Sequence, residues 1–378
     1  IWWWWLFKRS WRFRIMSEIK INNITSRDEK SGPTIAGVST VSGSFMIIPS
    51  GDTAIRSAGS GKGVFASGAT PSATNVLDII TIATTGNAVD FGDDTVAREE
   101  GYATGASSTR GILAGGYVSP DAIKTISYFT FSSGGGVSDF GECRGHGRPN
   151  ANPDKVYTSA GASDDTRMLI AGGGGDGWQR TRNISFITMA TTGDTSFFGE
   201  LIRSGAGGGT PSTEGFRYFD GFASPTRAVF AGGDVATTAD INVIQYVTIQ
   251  TLGNAETFGE LEKNRSSHTC CSNATRGLIA GGQTPSPNLN SIEFVTIAST
   301  GNSQDFGDIS HVSTNGVDYL GSCASSTRGI FAGGQTPTKI KTIGYVTIAS
   351  TGDSTEFGDL TVARRFCGGS SDVHGGLG

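Results

Sequence analysis

The sequence predicts an all-β protein made of about six copies of a four-stranded unit arranged around a common axis. Three observations carry this prediction. Glycine accounts for 57 of the 378 residues, which favours many short strands joined by tight turns. One motif recurs in six copies, and each copy contains a run that alternates apolar and polar residues, as half-buried strands do. A period near 50 residues with four short strands is typical of a β-propeller blade.

The second strand of each unit is the most regular element. It begins with a Thr-Arg pair and ends at a double glycine. The pairs are Thr109-Arg110, Thr166-Arg167, Thr226-Arg227, Thr275-Arg276 and Thr327-Arg328, and a weaker first copy runs from Lys62 to Gly68.

The other three strands follow from their position relative to this one. The first strand is small and polar, as in Gly105-Ala106-Ser107-Ser108, which suits the narrow space near the axis. The third alternates, as in residues 292–297. A turn such as Thr300-Gly301-Asn302 leads to the fourth strand, which carries Phe-Gly-acid, for example Phe306-Gly307-Asp308. Features present in all six copies are interpreted as serving the fold.

The phase of the repeat predicts how the ring closes. The chain enters near Lys62 on a second-type strand and leaves through Phe366–Ser371, which aligns with a first-type strand. Pairing of the two removes an exposed edge and gives six blades. A seventh blade is the alternative, with a strand from Ile55–Ser60 and a stub from His374–Gly378.

These residues resemble the kelch repeat. The double glycine and a third-strand tyrosine such as Tyr128 match that motif, as do the closing segments that end at Arg98 and Arg364. Phenylalanine, for example Phe140, stands where kelch repeats usually have tryptophan. The resemblance covers residues 56–378 and implies a kelch-like β-propeller.

A second resemblance is to virion structural proteins of tailed bacteriophages, such as tail-fibre and decoration proteins. It depends on the Gly/Thr/Ser-rich repeats and on the segment that begins Ser17-Glu18-Ile19-Lys20. It implies an extended attachment arm over residues 16–55 that binds other virion proteins, and localisation in the virion after assembly in the host cytoplasm. A host-surface glycan or protein is the expected partner of the propeller, and a homo-oligomer is compatible with this role.

Residues 1–15 differ in composition from the rest of the chain. Five of the six tryptophans lie there, and the apolar run Ile1–Phe7 is too short to cross a bilayer. We expect a non-native or disordered leader before Met16, and no membrane insertion. The net charge of −5, with no basic run in the body of the chain, argues against nucleic acid as a partner.

Loop variation predicts where a ligand binds. Connections from second to third and from fourth to first strands emerge on one face and carry all the long insertions, whereas the turns of the opposite face are uniform. Loops on a rigid scaffold can be remodelled for recognition. The candidate ligand-binding residues in these insertions are Arg144, His146, Arg148, Trp178, Arg180 and Arg182.

No catalytic, metal or cofactor site is predicted, so we expect no enzyme activity. The four histidines lack ligand spacing, and the glycine pattern at residues 172–177 lacks the helix that a dinucleotide site needs. Cysteines such as Cys270 and Cys323 lie on first-type strands and are interpreted as small buried residues. The alternative to a virion protein is a free carbohydrate- or protein-binding propeller, and a propeller enzyme ranks below both.

Overall fold

Six four-stranded antiparallel sheets form a closed ring around a central axis. The computed structural model describes residues 61–144, 155–175, 180–202, 215–235, 239–284, 287–312 and 315–377. The predicted leader and arm lie outside the described residues. Each sheet is one blade, with its strands ordered from the axis outwards, and all pairings within a blade are antiparallel. The predicted six-bladed, all-β propeller is confirmed.

The strands are numbered in chain order. Blade 1 contains β1 (Lys62–Ala69), β2 (Ala73–Thr81), β3 (Val89–Arg98) and the C-terminal strand β31 named below; blade 2 contains β4 (Ala103–Ala106), β5 (Arg110–Ala114), the hairpin β6 (Tyr117–Val118) and β7 (Asp121–Ala122), β8 (Thr125–Thr130) and β9 (Ser138–Glu142). Blade 3 contains β10 (Ala160–Ser163), β11 (Arg167–Ala171), β12 (Asn183–Thr188) and β13 (Ser196–Glu200). Blade 4 is preceded by β14 (Phe216–Arg217) and contains β15 (Asp220–Ala223), β16 (Arg227–Ala231), the short strands β17 (Asp234–Val235) and β18 (Ala239–Asp240), β19 (Val243–Thr248) and β20 (Glu256–Glu260).

The remaining strands complete the ring. Blade 5 contains β21 (Thr269–Ser272), β22 (Arg276–Ala280), β23 (Ser291–Thr296) and β24 (Gln304–Asp308); blade 6 contains β25 (Gly321–Ala324), β26 (Arg328–Ala332), the hairpin β27 (Gln335–Thr336) and β28 (Thr338–Lys339), β29 (Thr342–Thr347) and β30 (Thr355–Asp359). The strand β31 (Gly368–Ser371) and a single 3₁₀ turn, Gly375–Leu377, end the described chain.

The ring closes through the C-terminal strand, as predicted. β31 pairs with β1 in antiparallel register, with Gly63 opposite Ser371 and Ala66 opposite Gly368. It thereby becomes the innermost strand of blade 1. The stub considered for a seventh blade contains the 3₁₀ turn instead of a strand, and the described residues contain six blades.

Apolar side chains fill the space between blades. Six buried clusters occupy the six blade interfaces. Between blades 1 and 2, for example, Leu77 and Phe91 pack with Leu113 and Phe129. Alternate residues of the second and third strands supply most of these contacts, because successive side chains of a strand point to opposite faces, and the Phe of the fourth strand adds to them.

The Thr-Arg motif holds neighbouring blades together. Arg110 Nη1 donates a hydrogen bond of 3.0 Å to the Met189 carbonyl of blade 3, while its guanidinium lies 4.9 Å from the centroid of the Tyr128 ring in its own blade. The equivalent bonds are Lys62 to Phe131, Arg167 to Ile249, Arg227 to Ile297, Arg276 to Ile348 and Arg328 to Ile82. One cation per blade therefore links each blade to the next all the way around the ring.

The Phe-Gly-acid motif forms a second link. A Cβ on Gly141 would collide with the Gly193 carbonyl in the third-to-fourth turn of the next blade. In that turn Asp194 Oδ1 accepts a 2.9 Å hydrogen bond from the Glu142 amide. The same bond joins Asn254 to Glu200, Asn302 to Glu260, Asp353 to Asp308 and Asn87 to Asp359. The motif is part of the fold, as expected.

Candidate functional site

The two ends of the ring differ in structure. We call the end at which the innermost strands begin the variable face, and the opposite end the uniform face. The hairpins β6–β7 and β27–β28, and the sheet of β14, β17 and β18, lie in connections of the variable face. The sequence predicted long insertions on this same face, at residues 144–155, 174–183 and 201–217, and of these short strands only β14 lies in one of them.

A central channel runs between the innermost strands and encloses a cavity of about 130 Å³. Small polar side chains along it bond to the backbone of the neighbouring blade. Ser163 Oγ accepts from the Ala106 amide at 2.9 Å, and Ser272 Oγ donates to the Ala223 carbonyl at 2.7 Å. Innermost strands of adjacent blades do not pair as ladders, so these side chains satisfy polar backbone groups that would otherwise be unpaired.

The chain after β31 closes the channel at the uniform face. His374 Nε2 lies 2.7 Å from the Ala106 carbonyl of blade 2, and its Nδ1 accepts from the Gly376 amide at 3.1 Å. A Cβ on Gly375 would collide with the Asn273 carbonyl of blade 5. The 3₁₀ turn therefore crosses the axis, and the cavity is approached from the variable face.

Six residues with left-handed backbone surround the channel at the variable face. They are Glu100, Thr158, Tyr218, Ser267, Tyr319 and Phe366, with φ between 53° and 58°. We call them the mouth residues; each lies two or three positions before an innermost strand. Amides and carbonyls of successive mouth residues bond to one another around the axis, for example Tyr319 to Ser267 and Phe366 to Tyr319, both at 2.9 Å.

The backbone of this ring repeats but its side chains do not. Three mouth residues are aromatic and line the cavity. The rings of Tyr218 and Tyr319 are 6.4 Å apart, and those of Tyr319 and Phe366 are 4.1 Å apart. The other mouth residues are a glutamate, a threonine and a serine. A left-handed conformation costs a non-glycine residue about 1–2 kcal/mol, which glycine would avoid. Bulky side chains held there make these positions candidates for a role in binding.

Two arginines pack against the aromatic rings. The Arg217 guanidinium lies 5.1 Å from the Tyr218 centroid, and that of Arg365 lies 5.0 Å from the Phe366 centroid. Arg217 Nε also bonds to Asp234 Oδ2 at 3.0 Å, and Arg365 Nη1 bonds to the neutral Gln335 Oε1 at 3.0 Å. The cationic groups are thus fixed beside the aromatic surface.

Carboxylates lie in the same region. Burial raises the pKa of Glu100, and it raises that of Asp318 to about 6. Inside the channel, burial raises the pKa of Asp220 to about 7, although the Gly221 and Cys270 amides donate to it at 2.8 and 2.7 Å. The mouth therefore presents both signs of charge next to aromatic rings.

The predicted candidate residues have separate surroundings. Arg144 is exposed and forms an ion pair with Asp194 at 2.7 Å. Arg180 pairs with Asp234 at 2.8 Å and Arg182 with Glu200 at 2.7 Å, and both side chains are only 11% exposed. His146, Arg148 and Trp178 lie outside the described residues, so the binding role of the set stays a prediction.

One predicted residue touches the network of the mouth. Arg180 shares Asp234 with Arg217, which packs on the mouth residue Tyr218. The mouth residues themselves were missed, because φ cannot be read from a sequence. The available signal was the variation at the position before each first strand, within otherwise regular repeats.

The cysteines are buried, as expected from their size. All five are free thiols. Cys270 and Cys271 lie on β21 and Cys323 on β25, whereas Cys367 immediately precedes β31. Burial raises the pKa of Cys271 and Cys323, which disfavours the nucleophilic thiolate. Over the described part of the chain, no three His, Cys, Asp or Glu side chains are grouped to hold a metal ion.

Comparison with known proteins gives no assignment: no family model and no curated protein sequence matches the chain. Among the described residues, no helix has the length and apolar character needed to cross a membrane. The chain is a six-bladed β-propeller, and its candidate site is the aromatic mouth of the channel on the variable face.

Proposed function

We propose that this protein is a non-enzymatic binding protein that recognises its partner with the variable face of the propeller. The observation that carries the proposal is the mouth, where six equivalent backbone positions hold unlike side chains. Three of them, Tyr218, Tyr319 and Phe366, are aromatic and line the cavity, and arginines pack against their rings. Aromatic and arginine side chains of this kind are enriched in binding hot spots.

The channel chemistry favours binding over catalysis. Asp220 accepts hydrogen bonds from the Gly221 and Cys270 amides, which engage both of its oxygens. His374 is bonded through both ring nitrogens to the backbone. Hydrogen bonds to the backbone engage both groups, which supports a structural role for them.

The specific role that we propose is that of a virion structural protein of a tailed phage, as a fibre, spike or decoration subunit. Support comes from the sequence resemblances of the repeats and of residues 16–55. In this role residues 16–55 bind other virion proteins, and the propeller contacts a host-surface glycan or protein or a neighbouring subunit. A free carbohydrate- or protein-binding propeller is the second candidate, and the mouth is equally compatible with it.

The arm separates these two candidates. Mass spectrometry of purified particles is expected to detect the full-length protein. A variant that lacks residues 16–55 should fold and yet be lost from the particles. Particles that contain no copy of the protein, or that incorporate the arm-deleted variant equally well, would favour the free binding propeller.

The insertion loop is tested separately from the mouth. If the loop of residues 174–183 is a hot spot, Trp178→Ala combined with Arg180→Ala should weaken attachment to cells by about 2 kcal/mol. Circular dichroism provides the folding control. Unchanged attachment would restrict the binding surface to the mouth.

A further inference from the structure

We infer that the mouth of the channel binds a neutral saccharide, with one sugar ring placed against Tyr218, Tyr319 and Phe366. This inference rests on the proposed binding function and names its ligand class. It concerns the centre of the variable face and does not involve the predicted loop residues.

The aromatic side chains supply the first part of the argument. Three rings from blades 4, 6 and 1 converge at the channel entrance, and all three line the cavity. The apolar C–H face of a pyranose packs on such rings, while its hydroxyl groups remain at the edge. The rings are kept in place by Arg217 and Arg365, so the surface is formed before the ligand arrives.

Charges of both signs lie around the mouth, which favours a neutral ligand over a strongly ionic one. An acidic chain would meet Arg217 and Arg365 but would also meet Glu100, Asp318 and, inside the channel, Asp220. A basic chain would be attracted by these carboxylates but would also meet the two arginines. A hydroxyl group donates and accepts hydrogen bonds, so a neutral sugar can bond to both kinds of group.

Unpaired polar atoms supply an independent observation. Ser159 Oγ, Asp318 Oδ1 and Arg365 Nε are buried and have no hydrogen-bond partner among the described residues. Each belongs to a residue next to a mouth residue. Buried polar groups are normally bonded. Of these three residues Ser159 lines the cavity, where its hydroxyl is left to bond a ligand or water.

The left-handed backbone of the mouth residues suggests the substitutions that test this inference. Because Tyr218 and Tyr319 have φ of 53° and 57°, replacement by glycine removes a strained side chain as well as the ring. We expect Tyr218→Gly and Tyr319→Gly to retain or raise the melting temperature while lowering saccharide affinity by about tenfold or more. Tyr319→Phe keeps the ring and should bind nearly as well as the wild type.

The control is an aromatic residue of the fold. Tyr246 packs under Arg227 at 4.6 Å on the third strand of blade 4, away from the mouth. Tyr246→Ala should lower the melting temperature and leave saccharide affinity unchanged. The glycine variants should lose affinity without losing stability, and Tyr246→Ala should lose stability without losing affinity. This contrast distinguishes a binding role from a structural one.

The experiment applies the full-length protein to an array of neutral and acidic glycans and to Glu₆ and Lys₆ peptides, and then titrates the best neutral glycan by calorimetry. Binding to neutral glycans that is lost in both glycine variants supports the inference. Binding only to acidic glycans or to a peptide, binding that the glycine variants retain, or no binding to any probe overturns it. If the protein attaches to cells through the mouth but binds no glycan, the saccharide is wrong and the proposed function stands; loss of all attachment would remove both.

Discussion

Three buried arginines show how individual residues set the blade junctions. Arg98, Arg265 and Arg364 are fully buried at equivalent positions, each two residues before a mouth residue. Each pairs with an acid: Arg98 with Asp94 at 2.8 Å, Arg364 with Asp78 at 3.0 Å, and Arg265 with Glu293. The other three junctions hold Val156, Phe216 and Val317 at this position. At these junctions an arginine is therefore buried only where an acidic partner is present, as its desolvation requires.

The junction between blades 4 and 5 can be tested by copying the one between blades 3 and 4. Glu293→Ala leaves Arg265 as an unpaired buried charge and should lower the free energy of unfolding by about 3–5 kcal/mol. Arg265→Phe with Glu293→Gln reproduces the Phe216–Gln245 junction and should lose much less. Denaturant unfolding measures both, and a double variant that is less stable than Glu293→Ala would contradict this account.

Asp220 predicts a pH dependence of stability. Its pKa is raised from an ordinary 3.8 to about 7, so between these values the folded state holds more protons than the unfolded state. Stability therefore falls as pH rises from about 4 to 7. Asp220→Asn keeps an acceptor for the Cys270 amide and removes this fall.

Because other groups also titrate, the test uses the difference in melting temperature between Asp220→Asn and the wild type at each pH. Burial lowers the pKa of His268 to about 3 and that of His311 to about 4. Their contributions to stability are lost as pH falls below 6.5, which is the opposite slope, and they are common to both proteins. When melting temperatures are measured from pH 4 to 8, that of the variant should rise relative to that of the wild type as the pH approaches 7. A constant difference would mean that Asp220 does not titrate there.

At the scale of elements, the C-terminal segment has two separable roles. β31 completes blade 1 by pairing with β1, and residues 372–377 close the channel. The first role removes a strand edge in a ring whose blades contact only their neighbours. The second fills one end of a cavity.

Two truncations distinguish these roles. Removal of residues 366–378 takes away β31 and should cause aggregation or a loss of several kcal/mol, comparable to the loss of several buried side chains. Removal of residues 373–378 keeps β31 and should give a folded protein with a small decrease in melting temperature. Size-exclusion chromatography and thermal melts provide the comparison, and equal behaviour of the two would refute the assignment.

Within the described part of the chain, residues 61–377 supply a complete set of contacts between neighbouring blades. All six interblade clusters, the chain of cationic links and the closing strand belong to this range. Stability of the propeller is therefore expected to be independent of the N-terminal residues.

Chains that begin at Met16 or at Gly61 test this expectation. Both should melt cooperatively within about 2 °C of the full-length protein, a shift that corresponds to roughly 1 kcal/mol in a domain of this size. The Met16 protein should also be more soluble, because it lacks five tryptophans. A large decrease in melting temperature on removal of residues 1–15 would show that the leader is part of the fold.

Local patterns were sufficient to predict the architecture. Alternation, double glycines and the Thr-Arg pairs repeat in five blades, and in a weaker form in the first, because each blade has equivalent neighbours. The strand order and the closure by Phe366–Ser371 could therefore be predicted from the sequence, whereas the choice of six blades over seven was settled by the structure. These features depend on residues that are close along the chain or on a fixed repeat.

The candidate site depended on the tertiary structure. Tyr218, Tyr319 and Phe366 are separated by 101 and 47 residues in the sequence, and only ring closure brings them together around one axis. Their left-handed backbone and the pairing of Arg180 with Asp234 arise from contacts between blades. The sequence by itself determined the scaffold, because equivalent residues in each repeat have equivalent surroundings in each blade. Only the tertiary structure decided the mouth, because residues from different blades meet there and no repeat specifies them.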